Sequence, residues 1–259
     1  MKSNIRISIV GAGRVANILG KAWSHAGVEI VEIYSRNSDK ANKLAEVLKA
    51  KVATDIGNMA TNIDAVAVLV SDDAIEAVAT RLPKEVARFH SSGITDEAVM
   101  GGENGVLWPI KSLNEESATD SLSGVPFGVN ANTDSLKTIL ENLVLAVDGS
   151  SFDAPKEVRS KVHLAAVFTD NFANHCLALS QQILEESGLP PDLMKPLAEG
   201  MARGANKGTS YSRQTGVALR RDIGSQEKHL LLLSHFNDAE SLTDFYKYLS
   251  KHISDNHET

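Results

Sequence analysis

One cysteine, Cys176, in 259 residues excludes an internal disulfide and any cysteine-rich metal cluster. It sits in the apolar run Asn174-His175-Cys176-Leu177-Ala178-Leu179, where a buried, inert thiol is expected. Positive charge is also scarce. Lys and Arg number 26 against 33 Asp and Glu, a net charge of −7, so no basic surface is available to neutralise a phosphate backbone and a nucleic-acid partner is not expected. No apolar run reaches the roughly 18 residues that a membrane helix needs, and a strand pattern follows Met1 almost at once. A soluble, cytoplasmic protein with no membrane partner is the expectation. There is no internal repeat and no low-complexity segment.

What is present is a globular composition, 42% apolar and 23% charged, in two unlike parts. Up to about residue 153, short apolar runs alternate with helical patterns, as in βαβ units. Strands are expected at Arg6 to Val10, Ile30 to Tyr34, Asp64 to Val70, Arg88 to His90 and Val106 to Trp108. The first helix carries Val15, Ile18, Leu19, Ala22 and Trp23 at helical spacing and stops at Gly27. The second is capped by Ser38 and turns Ala41, Leu44, Ala45 and Leu48 inward. A last αβ pair spans Pro126 to Asp153. After Pro155 only helical spacing appears, first in one long helix from about Glu157 to Ser187, about 45 Å at 1.5 Å per residue. Shorter helices are expected at Asp192 to Ala205, Gln226 to Phe236 and Ser241 to His252. The fold class is therefore an α/β Rossmann domain with a mostly parallel, doubly wound sheet over 1–153, followed by an all-α C-terminal domain over 154–259.

The most specific motif is Gly11-Ala12-Gly13-Arg14-Val15-Ala16, a GxGxxA turn between a strand and a helix. Gly11 permits the tight turn, Gly13 lets the backbone approach a pyrophosphate, and Ala16 is small enough for close helix–sheet packing. The N–H groups of Ala12, Gly13, Arg14 and Val15 open the helix at its positive dipole end. At the end of the second strand stands Tyr34-Ser35-Arg36-Asn37, with no carboxylate before Asp39. A carboxylate there would hold the ribose of NAD; Ser35 and the Arg36 guanidinium suit the 2′-phosphate of NADP instead. Ser71 and Asp72 close the central strand, where they either contact the cofactor ribose or cap the next helix.

Candidates for chemistry lie on later elements. His90 in Phe89-His90-Ser91-Ser92-Gly93 is either a proton shuttle or a strand-end histidine, and Ser92 either holds a substrate oxygen or belongs to a plain turn. Lys111, after the next strand, either faces an acidic substrate or is solvated. On the long helix, His163, Val167, Asp170, Asn171 and Asn174 fall on one face of a 3.6-residue period. These polar groups either line a substrate cleft or bond a neighbouring chain. A metal reading of His163 and Asp170 fails for want of a third ligand, so no metal is expected. The stretch Arg213 to Asp222 offers N–H groups and guanidinium forks that could hold a carboxylate, or else an exposed charge cluster.

Together Gly11-Ala12-Gly13-Arg14-Val15-Ala16, Tyr34-Ser35-Arg36, Ser71-Asp72-Asp73, His90-Ser91-Ser92-Gly93, His163 through Asn171 to His175, and Gln214-Thr215-Gly216 with Arg220 and Asp222 resemble the Rossmann-like/DUF2520 family over nearly the whole chain. That family is related to the 6-phosphogluconate dehydrogenase-like and pyrroline-5-carboxylate reductase-like enzymes. The resemblance implies a Rossmann domain, a helical dimerisation domain and an active site between them. Many β-hydroxyacid dehydrogenase relatives carry a lysine four residues before the asparagine matched by Asn171; here that position is Val167.

The expected function is an NADP(H)-dependent oxidoreductase reducing a small carbonyl or imine compound that can carry a carboxylate. Ser92 and Asn171 would orient the substrate, His90 or His163 would handle the proton, and the chain would form a homodimer through its C-terminal helices. The alternative is an NADP-binding sensor without turnover, and a third reading pairs NADP with a deazaflavin.

Overall fold

The computed structural model describes residues 5–113, 122–205 and 210–257. The chain divides into two compact units, 1–170 and 171–259.

The first unit is built on one eight-stranded sheet. Its strands are β1 (Arg6–Val10), β2 (Glu29–Tyr34), β3 (Lys51–Val52), β4 (Ala65–Val68), β5 (Arg88–His90), β6 (Asn104–Pro109), β7 (Pro126–Ala131) and β8 (Ser150–Asp153), in the spatial order β3-β2-β1-β4-β5-β6-β7-β8. All neighbours pair in parallel except β6 and β7. The order reverses between β1 and β4, which is the switch point where open α/β sheets bind ligands. β4 reads Ala-Val-Ala-Val and is buried throughout, because helices cover both faces of a central parallel strand.

The helices of this unit are α1 (Arg14–His25), α2 (Ser38–Leu48), α3 (Ile75–Ala79), α4 (Asp134–Ala146) and α5 (Lys156–Ala166). Helix α1 turns Ala16, Leu19 and Trp23 inward, each fully buried, and the Trp23 indole meets Phe89 edge-on with ring centroids 6.1 Å apart. Each large apolar side chain buried this way stabilises the fold by roughly 1.5–3 kcal/mol. A side chain at Gly20 would meet Leu48 at 2.9 Å and Ile9 at 3.1 Å, so glycine lets α1 lie close to the sheet and α2. Asn37, rather than Ser38, caps α2: its side chain accepts from the Lys40 N–H at 2.9 Å. The two-residue strand β3 was not expected, being too short for a period-2 pattern to register.

The second unit contains α6 (Ala173–Glu186), α7 (Lys195–Gly204), α8 (Ile223–Leu233) and α9 (Ala239–Asn256). Helices α8 and α9 pack together and share a hydrogen bond of 2.8 Å between His229 Nδ1 and the Tyr246 hydroxyl. The long helix foreseen from Glu157 to Ser187 is not one regular helix. Residues Val167–Phe172 form a π turn between α5 and α6. Such a turn inserts a residue into the helical count, so the single face drawn through His163, Asp170, Asn171 and Asn174 does not follow. Cys176, expected buried, is exposed on α6: the apolar run around it contributes surface rather than core.

Candidate functional site

At the switch point lies a cleft of about 750 Å³. Its floor is the turn after β1. Gly11 adopts φ +124°, and a Cβ there would stand 2.1 Å from the Leu69 carbonyl oxygen, so no other residue fits. The turn is pinned by the Gly11 N–H to the Tyr34 carbonyl at 2.8 Å and the Leu69 N–H to the Val10 carbonyl at 2.7 Å. Asn17 reaches back from α1 and donates to the Gly13 carbonyl at 3.0 Å. A Cβ on Gly13 would meet nothing within 4 Å, so the space beside it is open to a ligand. Helix α1 begins there with no acidic residue in its first turn, leaving its N–H groups and dipole to face an anion.

Ala12, Gly13, Arg14, Val15, Ser35, Arg36 and Ser71 all line this cleft. Asp72 does not; it is exposed in the short turn Asp72–Ala74 that follows. Ser71 precedes that turn but makes no capping bond, so its hydroxyl is left for other partners. Ser35 Oγ accepts from the Asn37 N–H at 3.3 Å, which leaves its own hydrogen to donate. Among the described residues that line it three are arginines, Arg14, Arg36 and Arg81, and none is acidic, although the chain as a whole carries −7. A dinucleotide fits this donor set: the tight Gly11 turn, the open backbone at Gly13, a helix N-terminus and guanidinium forks with no carboxylate among the described lining residues. Arg81 has no motif to announce it. Its signal is the spacing Ala74, Ala77, Val78, Arg81, which puts one face of the α3 segment on the cleft.

The ends of β5 and β6 open on the same sheet edge, since both strands run parallel to β4. His90, at the end of β5, is fully buried, and its Nδ1 accepts from the Ser92 N–H at 3.0 Å. Burial, and secondarily the Arg159 charge, push its pKa from 6.5 to about 4 against the weaker pull of Glu97 and Asp96. The ring is neutral at physiological pH and works as a turn acceptor. Ser92 is likewise a turn residue: its hydroxyl donates to Thr95 Oγ1 at 2.9 Å and accepts from the Thr95 N–H at 3.0 Å, at 6% exposure. Both side chains are thus buried in a loop that closes on itself.

His163 on α5 behaves differently. It is half-buried, its ring centroid is 5.9 Å from that of Trp108, and a Cβ on Gly93 would stand 3.0 Å from its Nδ1. The loop after β5, the end of β6 and α5 therefore meet at this imidazole. Arg159, one turn earlier, holds α5 in place. Its guanidinium is fully buried and donates to the carbonyls of Ala154 at 2.9 Å and Thr95 at 2.7 Å, and to Glu97 at 2.6 Å. Burial pushes the Glu97 carboxyl up, but hydrogen bonds from Arg159, from its own backbone and from Asn130 outweigh it and hold the group ionised. This buried pair, 62 residues apart in sequence, was invisible to motif reading.

Asn171 lies in the π turn and is exposed, and it begins the second unit. In that unit Asp222 caps α8, accepting from the Ser225 N–H at 3.0 Å and from its hydroxyl at 2.7 Å, and Arg221 donates to the Ser254 carbonyl at 3.2 Å. Those two residues of the Arg213 to Asp222 stretch thus have structural work within their own unit.

Residues 6–90 match the family described as NADP oxidoreductase coenzyme F420-dependent, and residues 125–253 match the domain of unknown function DUF2520. No curated protein matches the chain. Among solved structures, a Bacteroides fragilis protein given the name of an NADP oxidoreductase is 28% identical with a TM-score of 0.85, covering 97% of this chain and 98% of its own. A Thermotoga maritima protein is 25% identical with a TM-score of 0.71, covering 96% and 98%. An imine reductase from Myxococcus stipitatus, solved with NADP+, is 18% identical with a TM-score of 0.65 over 95% and 94%, a likeness of fold.

Proposed function

We propose that this protein, which carries an NADP-oxidoreductase domain joined to DUF2520, is an NADP(H)-dependent oxidoreductase of a small carbonyl or imine compound. The observation that carries the reading is the switch-point cleft, whose described lining holds three arginines and no carboxylate in an acidic chain. When bound, NADPH supplies the hydride. The α1 N-terminus with Arg14 takes the pyrophosphate, and Ser35 with Arg36 takes the 2′-phosphate. His163, rather than His90, gives the proton that a carbonyl oxygen or imine nitrogen needs as hydride reaches its carbon. Trp108 and Gly93 hold the imidazole at that place.

The protein acts as a homodimer. Support comes from apolar side chains left in the open in the second unit, among them Leu197 at 71%, Met201 at 58% and Leu231 at 66% exposure. Light scattering at micromolar concentration is expected to give twice the 27.8 kDa chain mass. A monomer would refute this part. Among the described residues, no helix is long and apolar enough to cross a membrane.

The test is NADPH oxidation across a panel of keto acids and cyclic imines. Turnover of one class is expected, with His163→Gln lowering it about 10²-fold or more at unchanged NADPH affinity. Tight NADPH binding with no oxidation by any compound would contradict the enzyme reading and favour a sensor of the cofactor.

A further inference from the structure

Two arginines reach the cleft from separate elements: Arg36 from the turn after β2, and Arg81 from the turn after α3. Neither side chain makes an ion pair or hydrogen bond among the described residues, and both are exposed. Two unpaired guanidinium groups around one cleft repel each other unless an anion comes between them.

The backbone under Arg81 is held firmly. Arg88 is buried and donates to the carbonyls of Ala79 at 3.1 Å, Pro83 at 2.8 Å, Lys84 at 3.1 Å and Val86 at 2.9 Å, tying down both sides of the turn. Gly57 lies against the Arg81 carbonyl, where a Cβ would be 3.5 Å away. The segment is thus fixed while the Arg81 side chain is left to the cleft. The same cleft is lined by apolar Ala74, Ala77 and Val78, of the kind that lies against a flat base.

From this arrangement we infer that Arg81 is a second specificity residue for the adenosine 2′-phosphate, closing on it opposite Arg36. The inference rests on the dinucleotide reading above and deepens it. A dianionic phosphate accepts from two forks at once, and each charge-assisted contact is worth about tenfold or more in affinity. A group that merely walled the base would act equally on phosphorylated and unphosphorylated ligands.

The experiment is calorimetric titration of wild type, Arg36→Ala, Arg81→Ala and the double variant with 2′,5′-ADP and 5′-AMP, then with NADPH and NADH. Arg81 is exposed, so its removal leaves the fold intact, which a thermal melt checks. Arg81→Ala is expected to weaken 2′,5′-ADP and NADPH about tenfold or more while changing 5′-AMP and NADH less than about twofold. The double variant is expected to lose the preference for the phosphorylated ligands. Equal losses for both ligand classes would make Arg81 a wall for the base and overturn the inference. So would an unchanged Arg81→Ala beside a defective Arg36→Ala, with the dinucleotide reading intact. Failure of wild type to bind any of the four would overturn both.

Discussion

Acid sensitivity tests the reading of His90 as a buried, neutral acceptor. In the unfolded chain its imidazole titrates near 6.5, whereas in the folded protein burial and the Arg159 charge hold it at about 4. A histidine whose folded pKa is depressed contributes nothing to the pH dependence above the unfolded value, where both states are neutral. As pH falls below 6.5 the unfolded chain takes the proton and the folded one does not, so stability drops until pH passes about 4. At 1.36 kcal/mol per unit the loss is about 2 kcal/mol near pH 5 and about 3 kcal/mol at the lower plateau. Asp96 and Glu97 also have depressed pKa values, with stability present above their unfolded values and lost as pH falls through the folded ones. Their loss begins lower, so the range from about pH 6.5 to 5 isolates His90. Urea unfolding should be measured across that range for wild type and His90→Asn, whose Oδ1 can accept from the Ser92 N–H in place of Nδ1. The other histidines are common to both proteins. The variant is expected to lose about 2 kcal/mol less than wild type between pH 7.5 and 5. Parallel losses in the two would refute the account of a neutral His90.

Gly11→Ala puts a Cβ 2.1 Å from the Leu69 carbonyl at a positive φ, and should destabilise the fold by about 2–4 kcal/mol while weakening NADPH, read by urea unfolding and titration. Unchanged stability would mean the turn is looser than described. Arg159→Met leaves the Glu97 carboxylate without its partner and should cost about 3–5 kcal/mol, whereas adding Glu97→Met should recover part of it, the Ala154 and Thr95 carbonyls still lacking their donor. A double variant as unstable as the single would contradict this. Gly93→Ala crowds Trp108 at 2.8 Å and His163 Nδ1 at 3.0 Å, and should lower turnover while leaving NADPH affinity unchanged. Unchanged turnover would remove His163 from the chemistry.

The parts of this molecule that could be read from its sequence are those whose physics is local. The Gly11-Ala12-Gly13 turn declares itself because its conformation and its strand–helix setting are both short-range, and β1 and β5 fall at their expected residues. Arg36 follows by position from the end of β2. Arg81 was missed because an exposed arginine in a turn resembles any solvated one until Ala74 and Val78 are seen on the same wall. The roles of His90 and Ser92 depend on hydrogen bonds within a folded loop, and the Arg159–Glu97 pair on a contact across 62 residues. The π turn at Val167–Phe172 defeated the assumption of a regular helix, because nothing in residue spacing marks an inserted position. Cys176 shows the same limit from the other side: an apolar helical stretch looks alike whether it faces a core or another surface.

The central claim is that the switch-point cleft binds a phosphorylated dinucleotide through Arg36. Fluorescence titration of the purified protein with NADPH and NADH, repeated on Arg36→Ala, tests it most directly. The account predicts a clear preference for NADPH in wild type, lost in the variant with NADH affinity little changed. Equal binding of the two cofactors by wild type, or binding of neither, would contradict it.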